Sequence, residues 1–348
     1  MATTFAVPDG RVAMAATLYT GNGSSNTISN IVNTVGLQPD LLWTKARSTG
    51  AFHYLQDSVR GVNKALFSNA TDAEYAITPT TTTLNTTGFA FNGAESGLNA
   101  NAATFVAWQW KAGGTAVSNT AGTITSSVSA NPTAGFSVVT YTGNLSAVGT
   151  ATVGHGLGVA PAMIITKARS ATSFWNVSHV SLTTPSYLCF LNTTEAALNS
   201  AANGTIVAPT STVFTTNFTT GMNISGVTQV AYCWAPVAGY SAFGSYTGNG
   251  SADGPFIYTG FKPRFLMIKS SSGAFNWFIE DSSRNTTNVT GLDLSPNLSG
   301  AEANNSPTFD FLSNGFKLRN TYTSQNGSGT TYIYAAFAEN PLKYSNAR

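Results

Sequence analysis

The stretch Pro161-Ala-Met-Ile-Ile-Thr-Lys167 decides how this chain is interpreted, because it recurs. Related stretches lie at Pro39-Asp-Leu-Leu-Trp-Thr-Lys45 and Pro263-Arg-Phe-Leu-Met-Ile-Lys269. Each begins with a proline, ends with a lysine and carries an apolar run in between. The continuously apolar segments Leu41–Trp43 and Met163–Ile165 predict short strands that are covered on both faces. The repeated unit is therefore built around a buried strand.

Three further landmarks accompany this stretch in the same order each time. The intervals between successive copies of the first landmark are 122 and 105 residues, which is much longer than a solenoid repeat of about 20–50 residues. The repeats are therefore predicted to be whole domains. The landmarks are a Tyr-Thr-Gly-Asn tetrapeptide (19–22, 141–144, 246–249), an aromatic cluster (52–54, 174–175, 275–278) and a closing aromatic strand (106–110, 230–234, 333–337).

Short apolar or β-branched runs alternate with Gly, Asn, Ser and Pro turns, and helical periodicity is almost absent. This pattern predicts an all-β protein of three tandem antiparallel β-sandwich repeats of jelly-roll type. A Gly/Ser/Thr-rich linker, with room for one exposed strand, separates the first two repeats. The second and third join directly and are predicted to pack rigidly. The predicted division is an N-terminal arm (1–12), repeat 1 (13–118), a linker (119–134), repeat 2 (135–240) and repeat 3 (241–348).

The composition excludes several classes of protein. Only 9% of the 348 residues are charged, against about 25% in a typical soluble domain. A net charge of +2 leaves no basic stripe for nucleic acid, and no apolar run reaches the roughly 18 residues of a membrane span. No secretion signal is visible at the start. Cys189 and Cys233 could form a bridge, but buried free thiols are favoured.

The acidic residues offer little for catalysis. Glycan cleavage needs two carboxyl groups across a cleft, and the adjacent pair is Glu280-Asp281. The position of Asp281 is held by Asp57 and His179 in the other repeats, so the repeats do not share an acidic site. The histidines and cysteines lack the spacing of a zinc site. We expect no catalytic residue, no metal site and no cofactor.

Five residues are candidate ligand contacts. The aromatic rings of Trp175, Trp277 and Tyr54 could stack on sugars, but repeated aromatic residues more often fill a sandwich core. Arg60 and Arg284 each follow an aspartate in an Asp-Ser-x-Arg sequence. They could contact a ligand or fix a loop through an Asp–Arg pair. The structural interpretation is favoured for all five.

These landmarks, together with residues 1–14, 153–161 and 235–250, give the chain a family resemblance. It resembles an uncharacterised repeated domain of virion proteins from tailed phages, marine ones especially. The resemblance implies a concanavalin-like or laminin-G-like jelly roll and carries no catalytic signature. The third repeat departs from the pattern, since Lys269 precedes Ser-Ser-Ser where the others have Ala-Arg-Ser. If Arg47 and Arg169 serve the family's function, repeat 3 differs in it.

The resemblance leads to a functional expectation with alternatives. The first is a non-enzymatic virion surface protein, of fibre or adhesin type, that contacts host surface polysaccharide. The second is a capsid decoration or head-fibre protein without sugar binding. A glycan depolymerase dependent on Glu280 or Asp281, and a secreted bacterial lectin, are further hypotheses. The expected partners are other virion proteins and further copies of the chain, with a trimer favoured, and the expected location is the virion surface after assembly in the bacterial cytoplasm.

Overall fold

The structure is a computed structural model that describes residues 6–31 and 35–338. Residues 1–5 of the predicted arm and residues 339–348 of the predicted third repeat lie outside the described residues. The rest of the arm is not extended, because Gly10–Val12 forms a 3-10 helix capped by the side chain of Asp9. Val7 is buried in the main core, so its apolar side chain anchors the beginning of the described chain.

The first copy of the repeated unit folds into two antiparallel sheets. Its elements are β1 (Met14–Thr20), β2 (Ser25–Ser29), β3 (Leu41–Ala46), β4 (Tyr54–Asp57), β5 (Lys64–Phe67), β6 (Tyr75–Ala76), β7 (Thr81–Asn85), β8 (Gly88–Asn92), the short helix α1 (Ser96–Asn99) and β9 (Thr104–Trp110). The main sheet has the order β1-β9-β3-β4-β5-β6, and the small sheet has the order β2-β8-β7.

The second copy has a longer main sheet and a shorter small sheet. Its elements are β10 (Val117–Asn119), β11 (Ser126–Asn131), β12 (Phe136–Thr142), β13 (Thr150–Gly154), β14 (Met163–Ala168), β15 (Asn176–His179), β16 (Tyr187–Phe190), β17 (Leu198–Asn199), a 3-10 helix (Ala201–Asn203), β18 (Val213–Asn217) and β19 (Thr228–Trp234). The main sheet runs β10-β11-β12-β19-β14-β15-β16-β17, and the small sheet contains β13 and β18.

The third copy repeats the first in a shorter form. Its elements are β20 (Ser241–Thr247), β21 (Phe256–Tyr258), β22 (Pro263–Ser270), β23 (Phe278–Asp281), β24 (Leu292–Asp293), β25 (Ala303–Asn304), β26 (Phe309–Leu312), β27 (Gly315–Leu318), the short helix α2 (Thr323–Asn326) and β28 (Thr331–Ala338). The main sheet runs β20-β28-β22-β23, the small sheet runs β21-β27-β26, and β24 pairs with β25.

The all-β prediction is confirmed, and the three main sheets share one connectivity. In each, the strand that opens the copy pairs with the strand that closes it, and the Pro-to-Lys strand lies on the other side of the closing strand. This gives β1-β9-β3-β4, β12-β19-β14-β15 and β20-β28-β22-β23. All pairs are antiparallel. The boundaries assigned to the domains stay predictions.

The Pro-to-Lys strands are covered on both faces, as the sequence predicts. Every residue of β3 and of β14 is buried. In β3, Leu42 lies in the space between the two sheets with Phe89 of the small sheet. Its neighbour Trp43 points the other way and packs against Trp108, because successive side chains of a strand alternate between faces. The outer face of this sandwich therefore also needs a cover.

That cover comes from the other copies, so the three main sheets enclose one common core. Trp110, Trp234 and Phe337 stand at or near the ends of the closing strands and meet there. The ring centroid of Trp110 lies 5.7 Å from that of Trp234 and 5.6 Å from that of Phe337. The second apolar face of each main sheet is buried against its neighbours, which removes more apolar surface from water.

The Tyr-Thr-Gly-Asn tetrapeptide closes each sandwich at the end of its opening strand. The tyrosine hydroxyl donates to a backbone carbonyl in the segment before the closing strand, and the backbone N–H of the asparagine donates to an asparagine side chain there. A Cβ on the glycine would lie 2.2 to 2.4 Å from a carbonyl oxygen of that loop, so only glycine fits. The tyrosine bonds are Tyr19–Leu98 (2.6 Å), Tyr141–Met222 (2.7 Å) and Tyr246–Gln325 (2.8 Å), and the glycines are Gly21, Gly143 and Gly248.

The stretch predicted as a linker, residues 119–134, contains strand β11 of the second main sheet. Strand β11 pairs with β12 along its whole length, from Ser126 opposite Tyr141 to Asn131 opposite Phe136. Val128 and Ser129 are buried. The alternating apolar side chains of this segment find a sheet edge to cover, which is why it is ordered rather than a flexible spacer.

Cys189 and Cys233 are free and buried, as the interpretation favoured from the sequence predicts. Within residues 6–31 and 35–338, no helix is both long and apolar enough to cross a bilayer.

Candidate functional site

The aromatic residues proposed as ligand contacts lie inside the protein. Trp175 and Trp277 are 0% and 1% exposed, and Tyr54 is buried as well. Each indole N–H donates to a backbone carbonyl of the preceding copy, Trp175 to Phe67 at 2.8 Å and Trp277 to Phe190 at 2.9 Å. None of the three rings offers a free face to a sugar, and the interpretation as core residues describes their positions.

Arg60 and Arg284 are buried within ionic networks. Nε of Arg60 donates to Asp57 at 2.5 Å, and Nε of Arg284 donates to Asp281 at 2.6 Å. All four side chains are inaccessible to solvent. The Asp-Ser-x-Arg sequence is therefore a loop held by a buried ion pair, as the structural interpretation predicts.

These loops also join the copies to one another. The residue twelve places beyond each landmark lysine forms a hydrogen bond with the closing strand of another copy. Copy 1 contacts copy 2, copy 2 contacts copy 3 and copy 3 contacts copy 1, so the three copies form a ring. The bonds are Tyr232 hydroxyl to Asp57 (2.8 Å), His179 Nε2 with the carbonyl of Tyr334 (3.0 Å) and Trp108 indole N–H to Asp281 (2.9 Å). Burial lowers the pKa of His179 to about 4, so this ring is neutral at pH 7.

The landmark lysines also connect the three copies in a ring, and their contacts run in the opposite direction around it. Each is buried and donates to a backbone carbonyl of a loop in another copy. Desolvation by burial lowers the pKa of each ammonium group to about 8, because removal from water disfavours the charged form. The Nζ-to-carbonyl bonds are Lys45–Ser299 (3.3 Å), Lys167–Thr71 (3.2 Å) and Lys269–Thr194 (3.1 Å).

The arginines two places beyond the first two lysines also connect neighbouring copies. Arg47 pairs with Glu302 of copy 3 at 2.8 Å, and Arg169 pairs with Glu74 of copy 1 at 3.0 Å. In the third copy the equivalent residue is Ser271, whose carbonyl accepts from the backbone N–H of Ala197. The departure of repeat 3 from the sequence pattern thus removes both partners of an ion pair together.

An open groove of about 670 Å³ lies on the second copy, where it borders the first. We call it the Phe174 groove. Phe174 is 49% exposed and rests on Phe190, with 4.9 Å between the ring centroids and 34° between the ring planes. The groove is bounded by the end of the main sheet at Leu198, by the loop at Thr219 and by Thr71 of copy 1.

The chemistry of the Phe174 groove is neutral and amphipathic. Its lining consists of apolar side chains, hydroxyls and amides, and it includes no charged side chain. The hydroxyl oxygen of Thr219 has no hydrogen-bond partner within the described part of the chain. An aromatic face surrounded by uncharged hydrogen-bonding groups suits a ring with one apolar face and polar edges. A sugar in the pyranose form has that character.

An exposed phenylalanine that rests on a second phenylalanine occurs in two of the three copies. In copy 1, Phe52 is 44% exposed and rests on Phe67, with 4.9 Å between the ring centroids and 32° between the planes. In copy 3 both members are replaced, by Asn276 and Ser295. The pair is thus kept or lost as a unit, and copy 3 lacks it.

Trp175 is the candidate contact predicted from the sequence for this cluster, whereas the exposed member is Phe174. Phe174 and Trp175 are adjacent, and in extended chain adjacent side chains point to opposite sides. Only one of them can enter the core. The larger indole does so, because its N–H finds the carbonyl of Phe67, and phenylalanine is left outside. The sequence shows the alternation but not its phase.

The acidic pair required by the depolymerase hypothesis is inaccessible. Glu280 and Asp281 are 1% and 0% exposed. Asp281 is held in the Arg284 network, where desolvation opposes ionisation but the arginine still lowers its pKa. No group of three or more His, Cys, Asp or Glu side chains suited to a metal ion occurs within the described ranges 6–31 and 35–338.

Comparison with known proteins gives a family and no function. No curated protein and no solved structure matches the chain. One family model, described as "Domain of unknown function (DUF7483)", matches residues 12–341 and so spans all three copies of the unit. The chain belongs to this DUF7483 family of domains of unknown function.

Proposed function

We propose that the chain is a non-enzymatic surface protein of a tailed-phage virion and that it contacts host surface glycans through the Phe174 groove. The exposed Phe174 ring in an uncharged groove is the observation that carries the glycan-binding part. The virion part rests on the resemblance of the repeated landmarks. The low charge of the chain supports both, because hydroxyl and amide groups keep their hydrogen bonding in salt water while exposed ion pairs are screened.

The ring of three copies supports a structural role. Buried lysines, ion pairs and indole N–H groups connect all three pairs of copies. Within residues 6–31 and 35–338 each copy is bonded to both others, which suits a protein exposed to proteases outside the cell. We further propose a symmetric assembly of chains, a trimer first. Light scattering tests it, since a single chain has a mass of 36.2 kDa.

Glycan binding is tested by titrating host surface polysaccharide fragments against the protein and two variants. We expect Phe174→Ala to weaken binding by at least about fivefold, which corresponds to about 1 kcal/mol for one aromatic contact. Phe52→Ala removes the equivalent ring of copy 1 and is the matched control. Equal loss in both variants, or binding unchanged by Phe174→Ala, would contradict the assignment to this groove.

The location on the virion is tested by labelled antibody and electron microscopy. Label on the tail tip or fibres supports host recognition, and absence of label from every particle contradicts the virion proposal. Label spread over the head would favour the second candidate, a capsid decoration protein. The observation in its favour is the ring itself, because three similar copies around one core match a site of threefold symmetry.

A further inference from the structure

The second copy lacks one strand that the other two possess. The small sheet has three strands in copy 1 (β2-β8-β7) and in copy 3 (β21-β27-β26), but only β13 and β18 in copy 2. The chain segment that precedes β18, as β7 precedes β8, is residues 205–210, which form no strand. Pro209 lies in this segment and has no N–H to donate to a neighbouring strand. One side of this sandwich is therefore open.

The open side leads into a cavity of about 290 Å³. Ile164 of the main sheet and Phe214 of the small sheet form two walls, and Ile206 of the 205–210 segment forms a third. Leu182 and Ser178 also line the cavity. Among the described residues, no Lys, Arg, Asp or Glu side chain lines the cavity. His179 also belongs to the lining, and its ring is engaged with the carbonyl of Tyr334 and the backbone N–H of Ser181.

A comparison within the chain shows why the cavity forms in copy 2. Ser178 stands opposite Ile164 in the register of the main sheet. The residues at the same register position are Gln56, opposite Leu42, and Glu280, opposite Leu266. In copy 1 the Gln56 amide crosses the interior and donates to the hydroxyl of Thr82 on the third strand, at 2.7 Å. Copy 2 has lost both the long side chain and the strand it reaches.

The mouth of the cavity carries apolar surface in contact with water. Val180 and Val207 line it and are 65% and 58% exposed. Protein interiors are packed closely, so a group that enters this space of about 290 Å³ gains contacts with all its walls.

We infer that this cavity of the second copy binds the alkyl or aryl end of a small neutral amphiphile, with its polar end at the mouth. The lining supplies apolar contact for the buried end. Thr183 and Thr184 also belong to the lining, and their side chains carry hydroxyl groups that would bind the polar end. The inference is independent of glycan binding, because the two sites share no lining residue.

The test uses 2-naphthol, a neutral fluorescent amphiphile, titrated against the full chain. We expect saturable binding and competition by 1-octanol. Ser178→Gln places in the cavity the side chain that copy 1 uses, and we expect it to weaken binding at least tenfold. Ser211→Gln makes the same exchange at an exposed position outside the lining and should leave binding unchanged.

A second variant keeps the test decisive if Ser178→Gln does not fold. Val207→Ser changes an exposed rim residue, so the fold should be retained while binding weakens severalfold. Three results would overturn the inference: no saturable binding by the wild-type chain, equal binding by the variants and the wild type, or self-association of the chain that Val207→Ser abolishes. The last result would mean that a second copy of the chain covers the rim. Failure of glycan binding would leave this result untouched.

Discussion

Glu280 holds a buried carboxyl group that should make the protein less stable at neutral pH than a glutamine would. Its side chain is 1% exposed, and neither carboxyl oxygen has a hydrogen bond of ordinary geometry within the described residues. Desolvation raises its pKa from 4.5 to about 8, although the nearby hydroxyls of Thr290 and Thr308 act in the opposite direction. The folded protein therefore keeps this group protonated at pH 7.

The sign and size of the effect follow from proton linkage. Between pH 4.5 and pH 8 the folded state holds a proton that the unfolded state has released, so stability falls as the pH rises through this window. From pH 4.5 to pH 7 this amounts to roughly 2.5 pKa units, or about 3 kcal/mol at 1.36 kcal/mol per unit. Glutamine has almost the same volume and cannot ionise. The chain itself uses it at the equivalent position, Gln56.

The assay is denaturant unfolding of the wild type and of Glu280→Gln at several pH values. We expect their difference in free energy of unfolding to grow by about 3 kcal/mol in favour of the variant between pH 4 and pH 7. Gln56→Glu is the matched control. It adds a buried carboxyl group, so its free energy of unfolding should fall relative to that of the wild type as the pH rises over the same range. A difference that does not change with pH, or a variant that is less stable at pH 7, would refute the reasoning.

Three further predictions concern the ring and the thiols. Arg169→Ala should lower the free energy of unfolding by about 1–3 kcal/mol, because it leaves Glu74 partly buried with fewer partners. Ser271→Ala at the equivalent position of copy 3 should lower it by less than about 1 kcal/mol. Equal losses of the two variants in denaturant unfolding would contradict this prediction. In NMR titrations of ¹³C-labelled lysine, Lys45, Lys167 and Lys269 should titrate near pH 8. Since the unfolded chain keeps these protons up to about pH 10.5, the contribution of the three lysines to stability should rise with pH between those values. Titration of all three above pH 10 would show that they are not desolvated. Burial raises the pKa of the Cys189 thiol to about 11 and that of Cys233 to about 12, so Ellman's reagent at pH 8 should react slowly with the native protein and rapidly in guanidinium chloride; fast reaction of the native protein would mean that the thiols are accessible.

Local patterns in the sequence were sufficient for the fold class and for the buried strands. The apolar segments at Leu41–Trp43 and Met163–Ile165 predict strands that are covered on both faces, and they are so placed. The Asp-Ser-x-Arg sequences predict loops held by an ion pair, which Arg60 and Arg284 form. These predictions succeed because each depends on residues within a few positions of one another.

The candidate site was less accessible to such reasoning. Phe174 and Trp175 precede β15, and which of them enters the core depends on distant contacts. The Trp175 indole N–H donates to the carbonyl of Phe67, a residue 108 positions away. The cavity of the second copy depends on the absence of a strand, and only the paired sheets of the other copies make that absence visible.

By itself the sequence determined an all-β chain with a threefold repeated set of landmarks, few charges and no evident catalytic constellation. Only the tertiary structure decided that the copies share one core and form a ring. It also showed what Lys45, Lys167 and Lys269 do, since each bonds to a carbonyl in another copy. The physical reason is that a strand pattern records which faces must be covered but not what covers them. A neighbouring copy, a small ligand and solvent-exposed loops are all consistent with the same run of apolar residues.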